Sequence, residues 1–319
     1  MRGSKGNDKA RNLYAPAMRY FAAVAQSGSI RAASRELNVA SSAVNRQILW
    51  LEEALGLQLF ERVGRRLRLA QAGEILLAHV RRTYSDFDAT VAELDALQGL
   101  RRGTVSIATV ESIAESLLPT LVSNFRKKYP GIHVSVTVTN ALEAAALVES
   151  AEADVGFTFD PPANSALSIA YQQDLVIGAL MAPSHPLAGE DSLSLADCLR
   201  YPIALPATGL SLRNRIDAAM AQIPGNLRTY VEANSLRFMR ALARRQDVIG
   251  FQTQIGCEDD LQSGELVFKP LRDLPLQSDR FCIVTSSRRA LALSSGMFFD
   301  YAVIAMKDHI ADNVANTAS

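Results

Sequence analysis

Ser41, Ser42, Asn45 and Arg46 put two hydroxyls, an amide and a guanidinium within six residues. Side chains of these types hydrogen-bond base edges and phosphate oxygens, and an asparagine, both donor and acceptor, suits adenine. A second group follows closely. Arg62, Arg65, Arg66 and Arg68 fall within seven residues around Gly64. With Arg31 they suit phosphate or minor-groove contact. The chemistry on offer is recognition of double-stranded DNA.

The chain offers no comparable constellation for catalysis. It has no P-loop, no GxGxxG and no GxSxG. Cys198, Cys257 and Cys282 form no CxxC, and their odd number argues against a disulfide framework, so they read as small buried hydrophobes. His79, His133, His185 and His309 lie at no metal-ligand spacing. Nothing in the spacing brings Asp197, Cys198 and His185 together as a thiol site. The expectation is no catalytic residue, no metal and no cofactor.

The elements that must carry the first group are two short helices and a hairpin. Val44, Ile48, Leu51 and Leu55 recur at steps of four, three and four, which predicts one apolar stripe on a helix. Ser41, Ser42, Asn45 and Arg46 lie off that stripe, on the first turns, where a recognition helix meets bases. Gly56 is placed to end this helix. The preceding helix carries Ala32, Ala33 and Leu37, with Asn38 at its turn. A first helix over 14–25 would face Met18, Phe21, Ala22 and Ala25 inward and end at Gly28, leaving Ser29 to cap the next. Trp50, the single tryptophan, packs on a neighbouring helix, on a dimer partner or within its own domain.

Charge divides the chain in the same way. The formal net charge is zero, yet residues 1–82 hold 14 Lys+Arg and 6 Asp+Glu, a net of +8, and the remainder carries −8. A basic module joined to an acidic partner domain fits nucleic-acid binding. Hydrophobic content of 48% and charged content of 21% suit a globular protein. No apolar run approaches the ~20 residues of a membrane span. The polar start MRGSKGNDKARN lacks a signal-peptide core, so residues 1–13 read as a disordered tail and the cytoplasm as the location.

These residues together resemble the winged helix-turn-helix of the LysR-type transcriptional regulators. The matching positions are Phe21, Ala32-Ala33, Leu37, Ala43-Val44, Arg46-Gln47-Ile48, Leu51-Glu52, Leu55-Gly56, Leu59-Phe60, Arg62, Leu69 and Ala72-Gly73. AVNRQI followed by LEEALGLQLFER is far more specific than a generic helix-turn-helix pattern. The chain departs from the family at Ser42, where proline is common, at Asn45, where serine is common, and at Ala70, which replaces a capping threonine.

Residues 74–98 change pattern. Leu77, Val80, Tyr84, Phe87, Val91 and Leu94 recur at three, four, three, four and three, a coiled-coil seam on a helix about 37 Å long. The seam implies a dimer; the alternative is a helix lying on its own domain. Residues 99–103 read as a hinge. From Thr104, strands and helices alternate: TVSIATV, a helix over 114–128, IHVSVTVT, a helix over 142–149 capped by Asn140, and ADVGFTF. This run predicts a parallel sheet. YQQDLVIGALMAP crosses into a second lobe that holds YPIALP, RTYVEA and VIGFQTQ as strands, with helices over 194–198, 211–222 and 235–244. ELVFKPL and RFCIVTS return to the first, and the last helix covers 294–307.

The predicted fold class is therefore α/β: a winged helix-turn-helix over 14–73, a dimerisation helix over 74–98, and a two-lobed α/β domain over 104–319. Lobe I takes about 104–174 and 266–308, lobe II about 175–265. LLPTLVSNFRKKYPGIHVSV, ADVGFTF, APSHPLA and SGELVFKPL extend the resemblance to the family's effector domain, which is similar to periplasmic binding proteins.

What the resemblance implies is a sequence-specific transcriptional regulator modulated by a small-molecule effector between the lobes. It further implies a dimer, two dimers forming a tetramer, and RNA polymerase as a partner. Ligands of open α/β domains bind at the carboxyl ends of strands. That places Val110, Glu111 and Ser112, Asn140 and Ala141, and Phe159 on one wall of the cleft. Thr208, Asn234 and Ser235, and Phe251 and Gln252 form the other. Ser112 and Asn140 can aim helix-terminal amides at an anion, but Ala141-Leu142 is apolar where the family often has a hydroxyl. Glu111 instead suits a cationic or hydroxylated ligand. A periplasmic-type binding protein and an enzyme on an α/β scaffold are the alternatives; the basic N-terminal module weighs against the former and the missing catalytic constellation against the latter.

Overall fold

A computed structural model of the protein describes residues 16–63, 66–97, 103–208, 210–221, 229–245, 247–273, 276 and 278–317. The expected tail over 1–13, the Gly64 turn with Arg65, and the hinge residues 99–102 lie outside them. The chain forms two compact units, residues 1–100 and 101–319.

In the first unit, α1 (Pro16–Ser27), α2 (Ile30–Leu37) and α3 (Ser41–Leu55) pack around Phe21, Val24, Ala33, Val44, Ile48 and Leu51. Gly28 adopts φ +63°, Asn38 φ 55° and Gly56 φ 66°, left-handed positions that end each helix in turn. Ser29 Oγ accepts the Ala32 N–H at 3.5 Å, capping α2 as expected. Two details differ from the periodicity. Helix α1 turns Ala17, Phe21, Ala23 and Val24 inward and leaves Met18, Ala22 and Ala25 at the margin. Leu55 is exposed because the left-handed Gly56 turns the chain away one residue later. Trp50 is exposed as well.

The wing is the antiparallel hairpin β1 (Phe60–Val63) and β2 (Arg66–Leu69), with Phe60 opposite Leu69. Helix α4 (Gln71–Leu97) starts three residues earlier than its seam suggested. Leu77 and Val80 are buried in the core of this unit, and Tyr84 packs against it. The first half of the seam therefore covers the helix's own domain. Phe87 is half-buried, while the side chains of Val91 and Leu94 lie outside the described set.

The second unit is a two-lobed α/β structure. Lobe I has the sheet order β4-β3-β5-β11-β6. Its parallel part is β4 (Ile132–Val138), β3 (Gly103–Thr109) and β5 (Val155–Phe159). Strand β6 (Leu167–Met181) pairs with β11 (Ser278–Ser286) up to Val176, then with β9 (Ile249–Thr253) from Ile177. This one strand carries the chain between lobes, and begins four residues before the expected segment. Lobe II continues through β7 (Ile203–Pro206) and β8 (Thr229–Ala233).

Two expectations are corrected here. ELVFKPL does not return to lobe I: β10 (Val267–Pro270) pairs with β6 at Gly178–Met181, and Leu266, Leu271 and Leu276 are buried in lobe II cores. Only β11 makes the return. The predicted helix over 114–128 is two pieces, α5 (Glu111–Glu115) and α6 (Leu117–Lys128), broken at Ser116. Pro119 has no N–H for the Glu115 carbonyl and its ring crowds that oxygen, so one continuous helix cannot form.

Helix α7 (Ala141–Glu149) is capped by Asn140, whose Oδ1 accepts the Glu143 N–H at 2.9 Å. Lobe II adds α8 (Leu195–Cys198), α9 (Ser211–Met220), α10 (Leu236–Ala243) and α11 (Glu258–Gln262). The last helix, α12 (Leu293–Thr317), runs ten residues past its expected end and packs Phe298 edge-on against Phe125 at 5.1 Å. No described helix is long and apolar enough to cross a membrane.

Candidate DNA interface and effector cleft

Ser42, Asn45 and Arg46 are exposed on the first turns of α3, opposite Val44 and Ile48. Ser41 is also exposed, but its Oγ lies 2.8 Å from Ser34 Oγ, and Ser34 donates to the Arg31 carbonyl at 3.0 Å. Ser34 has one proton to give, so Ser41 donates to Ser34 and keeps only acceptor capacity. Arg31, Arg62 and Arg66 meet at one concavity of about 350 Å³, lined also by Gly28, Ser29, Ile30 and Leu67. A bond from the Leu67 N–H to the Gly28 carbonyl at 3.0 Å joins the wing to the start of α2. Arg65 falls outside the described residues.

The wing is fixed to the recognition helix by Glu52. Its Oε1 accepts the N–H groups of Leu59 and Phe60 at 2.8 and 3.3 Å. On the other side, Gly73 lies so close that a Cβ there would stand 2.1 Å from the Leu59 carbonyl oxygen. The Leu51-Glu52 and Ala72-Gly73 matches are thus wing-positioning residues.

The effector candidates divide sharply. Val110, Ala141 and Phe159 are buried in the lobe I core, and Ser112 is buried at 3% exposure. Phe251 sits in the lobe II core, not in the cleft, because β9 is covered on both faces. Gln252 is buried beside it. Asn140, Thr208, Asn234 and Ser235 keep accessible surface.

Glu111 does something spacing could not reveal. From lobe I it accepts the Ser235 hydroxyl at 2.9 Å and the Leu236 amide at the start of α10 in lobe II. A carboxylate at a helix N-terminus is electrostatically favoured. Glu115, one turn on, pairs with Arg240 of α10, which also reaches Asp260 at 3.1 Å. Gly256, at φ +90°, approaches Ser112 so closely that a Cβ would lie 2.8 Å from Ser112 Cα.

A second set of interlobe contacts involves residues that the sequence did not single out. Arg215 of α9 pairs with Asp160, and its Nε lies 3.4 Å from Asp279 of β11. The Ser211 hydroxyl donates to Asp279 at 2.8 Å. Arg280 Nε is 3.4 Å from Asp160. Burial, above all, pushes the Asp279 carboxyl up to about 6; Asp160 raises it further, while Ser211 and Arg215 oppose the rise. The only sequence signal was an acidic residue beside the apolar run 281–284 of its strand, and no periodicity links it to a residue 68 positions away.

The groups considered for catalysis have structural roles. Asp197 closes a capping box with Ser194, and Cys198 is buried with its thiol pushed up to about 12 by desolvation. Burial also raises the Cys257 thiol to about 12 and the Cys282 thiol to about 11. His185 Nδ1 accepts the Leu187 N–H at 3.1 Å, and burial lowers its pKa. Among the described residues no three His, Cys, Asp or Glu side chains could hold a metal ion.

Comparison with known proteins agrees with this division. Residues 16–74 match the family described as bacterial regulatory helix-turn-helix protein, lysR family, and residues 98–306 match the LysR substrate binding domain. The HTH-type transcriptional activator CmpR of a Synechocystis species is 25% identical over 281 residues, covering 88% of this chain and 92% of its own. The HTH-type transcriptional regulator CbbR of Rhodospirillum rubrum is 28% identical over 280 residues, covering 88% and 93%. The structure of full-length OxyR from Pseudomonas aeruginosa superposes with a TM-score of 0.70 at 17% identity, covering 90% of this chain and 93% of that one, and so shares the fold. With two family domains spanning nearly its whole length, the chain belongs to the LysR family of DNA-binding transcriptional regulators, whose substrate-binding domain takes a small-molecule effector.

Proposed function

We propose that α3 reads base edges with Ser42, Asn45 and Arg46, with Ser41 as an acceptor, while Arg31, Arg62, Arg65 and Arg66 hold phosphates. The observation that carries this reading is the convergence of Arg31, Arg62 and Arg66 on one pocket, with no carboxylate among the described residues that line it. Arg46→Ala should weaken binding to a selected duplex by about 1–3 kcal/mol at an unchanged melting temperature. Arg62→Ala should lower the salt slope of binding by about one counterion. Unchanged affinity of Arg46→Ala on every duplex would remove this residue from the site.

The effector site lies between the lobes, on Glu111, Asn140, Thr208, Asn234 and Ser235, with the buried Val110, Ser112, Ala141, Phe159 and Gln252 as its supporting wall. An effector there exchanges its polar groups for the Glu111 and Arg215 contacts. Ligand and lobe closure are then two sides of one equilibrium, which is how binding is transmitted to DNA contacts. A thermal-shift screen of metabolites on the full chain tests this, since a ligand of the native state raises its melting temperature.

The chain forms a dimer through α4, using Phe87 and the turns beyond it, because Leu77, Val80 and Tyr84 are committed to their own domain. Two dimers make a tetramer, and the assembly acts on RNA polymerase in the cytoplasm. Sedimentation of the full chain, with and without charged replacements at Phe87 and Val91, separates these states.

A further inference from the structure

Helix α3 continues past Arg46 with an apolar pair. Leu49 and Trp50 follow Arg46 by three and four residues, so they share its face one turn on. Each is 56% exposed, and neither joins the core formed by Val44, Ile48 and Leu51. Ser42, Asn45 and Arg46 are exposed on the same side, and Glu53 bounds the patch one turn further. This face is therefore polar on its first turns, apolar on the next, and acidic where it ends.

An indole and an isobutyl group side by side in water leave apolar surface whose burial would be favourable. What covers them follows from continuity. A helix of 15 residues is about 22 Å long, so a first turn seated in the major groove carries the second and third turns along the same groove. Glu53 is repelled by phosphates and fits only beyond the groove's edge. The apolar feature displayed on the floor of the major groove is the thymine C5-methyl group.

We propose that Leu49 and Trp50 extend the DNA-reading face of α3 by packing on thymine methyl groups, and so select A·T pairs beside those met by Asn45 and Arg46. This rests on the reading of α3 as the helix that enters the groove. It makes Leu49 and Trp50 specificity-determining residues rather than parts of an interface between copies of the chain.

Trp50 is the only tryptophan, so indole fluorescence of the full chain, excited where tyrosine does not absorb, reports this position alone. A duplex is first obtained by binding-site selection from a random-sequence pool. The free protein should emit as a solvent-exposed indole open to acrylamide quenching, and saturation with the duplex should shift the emission and protect it. Replacing thymine by deoxyuridine removes only methyl groups. It should weaken binding of the unaltered protein by roughly fourfold for each contacted methyl. The double variant Leu49→Ser/Trp50→Ser should bind both duplexes equally. The uracil comparison on the unaltered protein stands even if that variant is unstable. A duplex that shifts in a gel while Trp50 emission stays unchanged, or that tolerates uracil, overturns the inference and leaves the helix assignment intact. So does an emission already shielded in the free protein, which would place a second copy over the patch. Failure to bind any duplex would overturn both readings.

Discussion

Glu111 of lobe I accepts a hydrogen bond from the Ser235 hydroxyl of lobe II at 2.9 Å. The same carboxylate takes the Leu236 amide, so one side chain spans the two lobes and caps α10. In the proposed reading an effector acts through the relation between the lobes, and this contact joins them. Glu111→Gln keeps the shape and removes the charge. It should cost about 1.5–3 kcal/mol, the usual worth of a hydrogen bond to a charged group. Thermal unfolding of the full chain reads this directly, and an unchanged midpoint would mean that the contact does not hold the lobes.

Asp279 gives the second interlobe contact a dependence on pH. Its folded pKa of about 6 lies above the usual carboxylate value of 3.8 because it is buried and faces Asp160, with Ser211 and Arg215 as its other partners. The folded state therefore binds the proton more tightly than the unfolded state. Stability falls as pH rises from about 4 to about 6 and levels off above that. Asp279→Asn should remove this slope and be the more stable protein at neutral pH. Midpoints of the two proteins compared across pH 4 to 8 (about two units either side of the folded value) test it. Parallel curves would contradict the assignment.

Asp154 and Arg289 form an ion pair at 2.7 Å in the interior of lobe I, with side chains 13% and 7% exposed. Asp154 also accepts the Ser106 backbone N–H and hydroxyl, at 2.9 and 2.8 Å, tying β5 to β3. Asp154→Ala leaves a buried guanidinium unpaired and should cost about 3–5 kcal/mol. Urea unfolding of the full chain measures this; a loss under 1 kcal/mol, roughly that of a surface pair, would show that water reaches the site.

Two glycines of the first unit should respond differently to alanine. At Gly73 the new Cβ meets the Leu59 carbonyl, a backbone atom that cannot turn aside. Helix α4 must then move from the wing, at about 1–3 kcal/mol, and DNA affinity should fall with stability. At Gly56 nothing lies within 4 Å, and the cost is the left-handed φ of 66° alone, about 1–2 kcal/mol. Gly56→Ala should thus lower stability yet spare DNA affinity. Equal loss of affinity in both would show that the wing is not held through Gly73.

Much of this protein was legible in the chain itself. The steps from Val44 to Leu51 gave the core stripe of the recognition helix, and Gly28, Asn38 and Gly56 marked the turns. Local backbone chemistry dictates both. The run of alternating strands and helices from Thr104 predicted the parallel part of lobe I. What a periodicity leaves open is the partner. Leu77, Val80 and Tyr84 show the same three-four spacing whether they face a second chain or their own domain, and packing chose the domain. ELVFKPL has the composition of a buried strand on either lobe, and only the pairing of Val267 with Met181 settles which one. Phe251 alternates correctly yet faces a core, because both faces of β9 are covered. The interlobe charges were the least visible. Glu111 meets Ser235 across 124 residues and Ser211 meets Asp279 across 68. Contacts at such separations leave no repeat in the chain: the sequence sets which groups can be charged, and the tertiary fold alone decides which of them meet out of water.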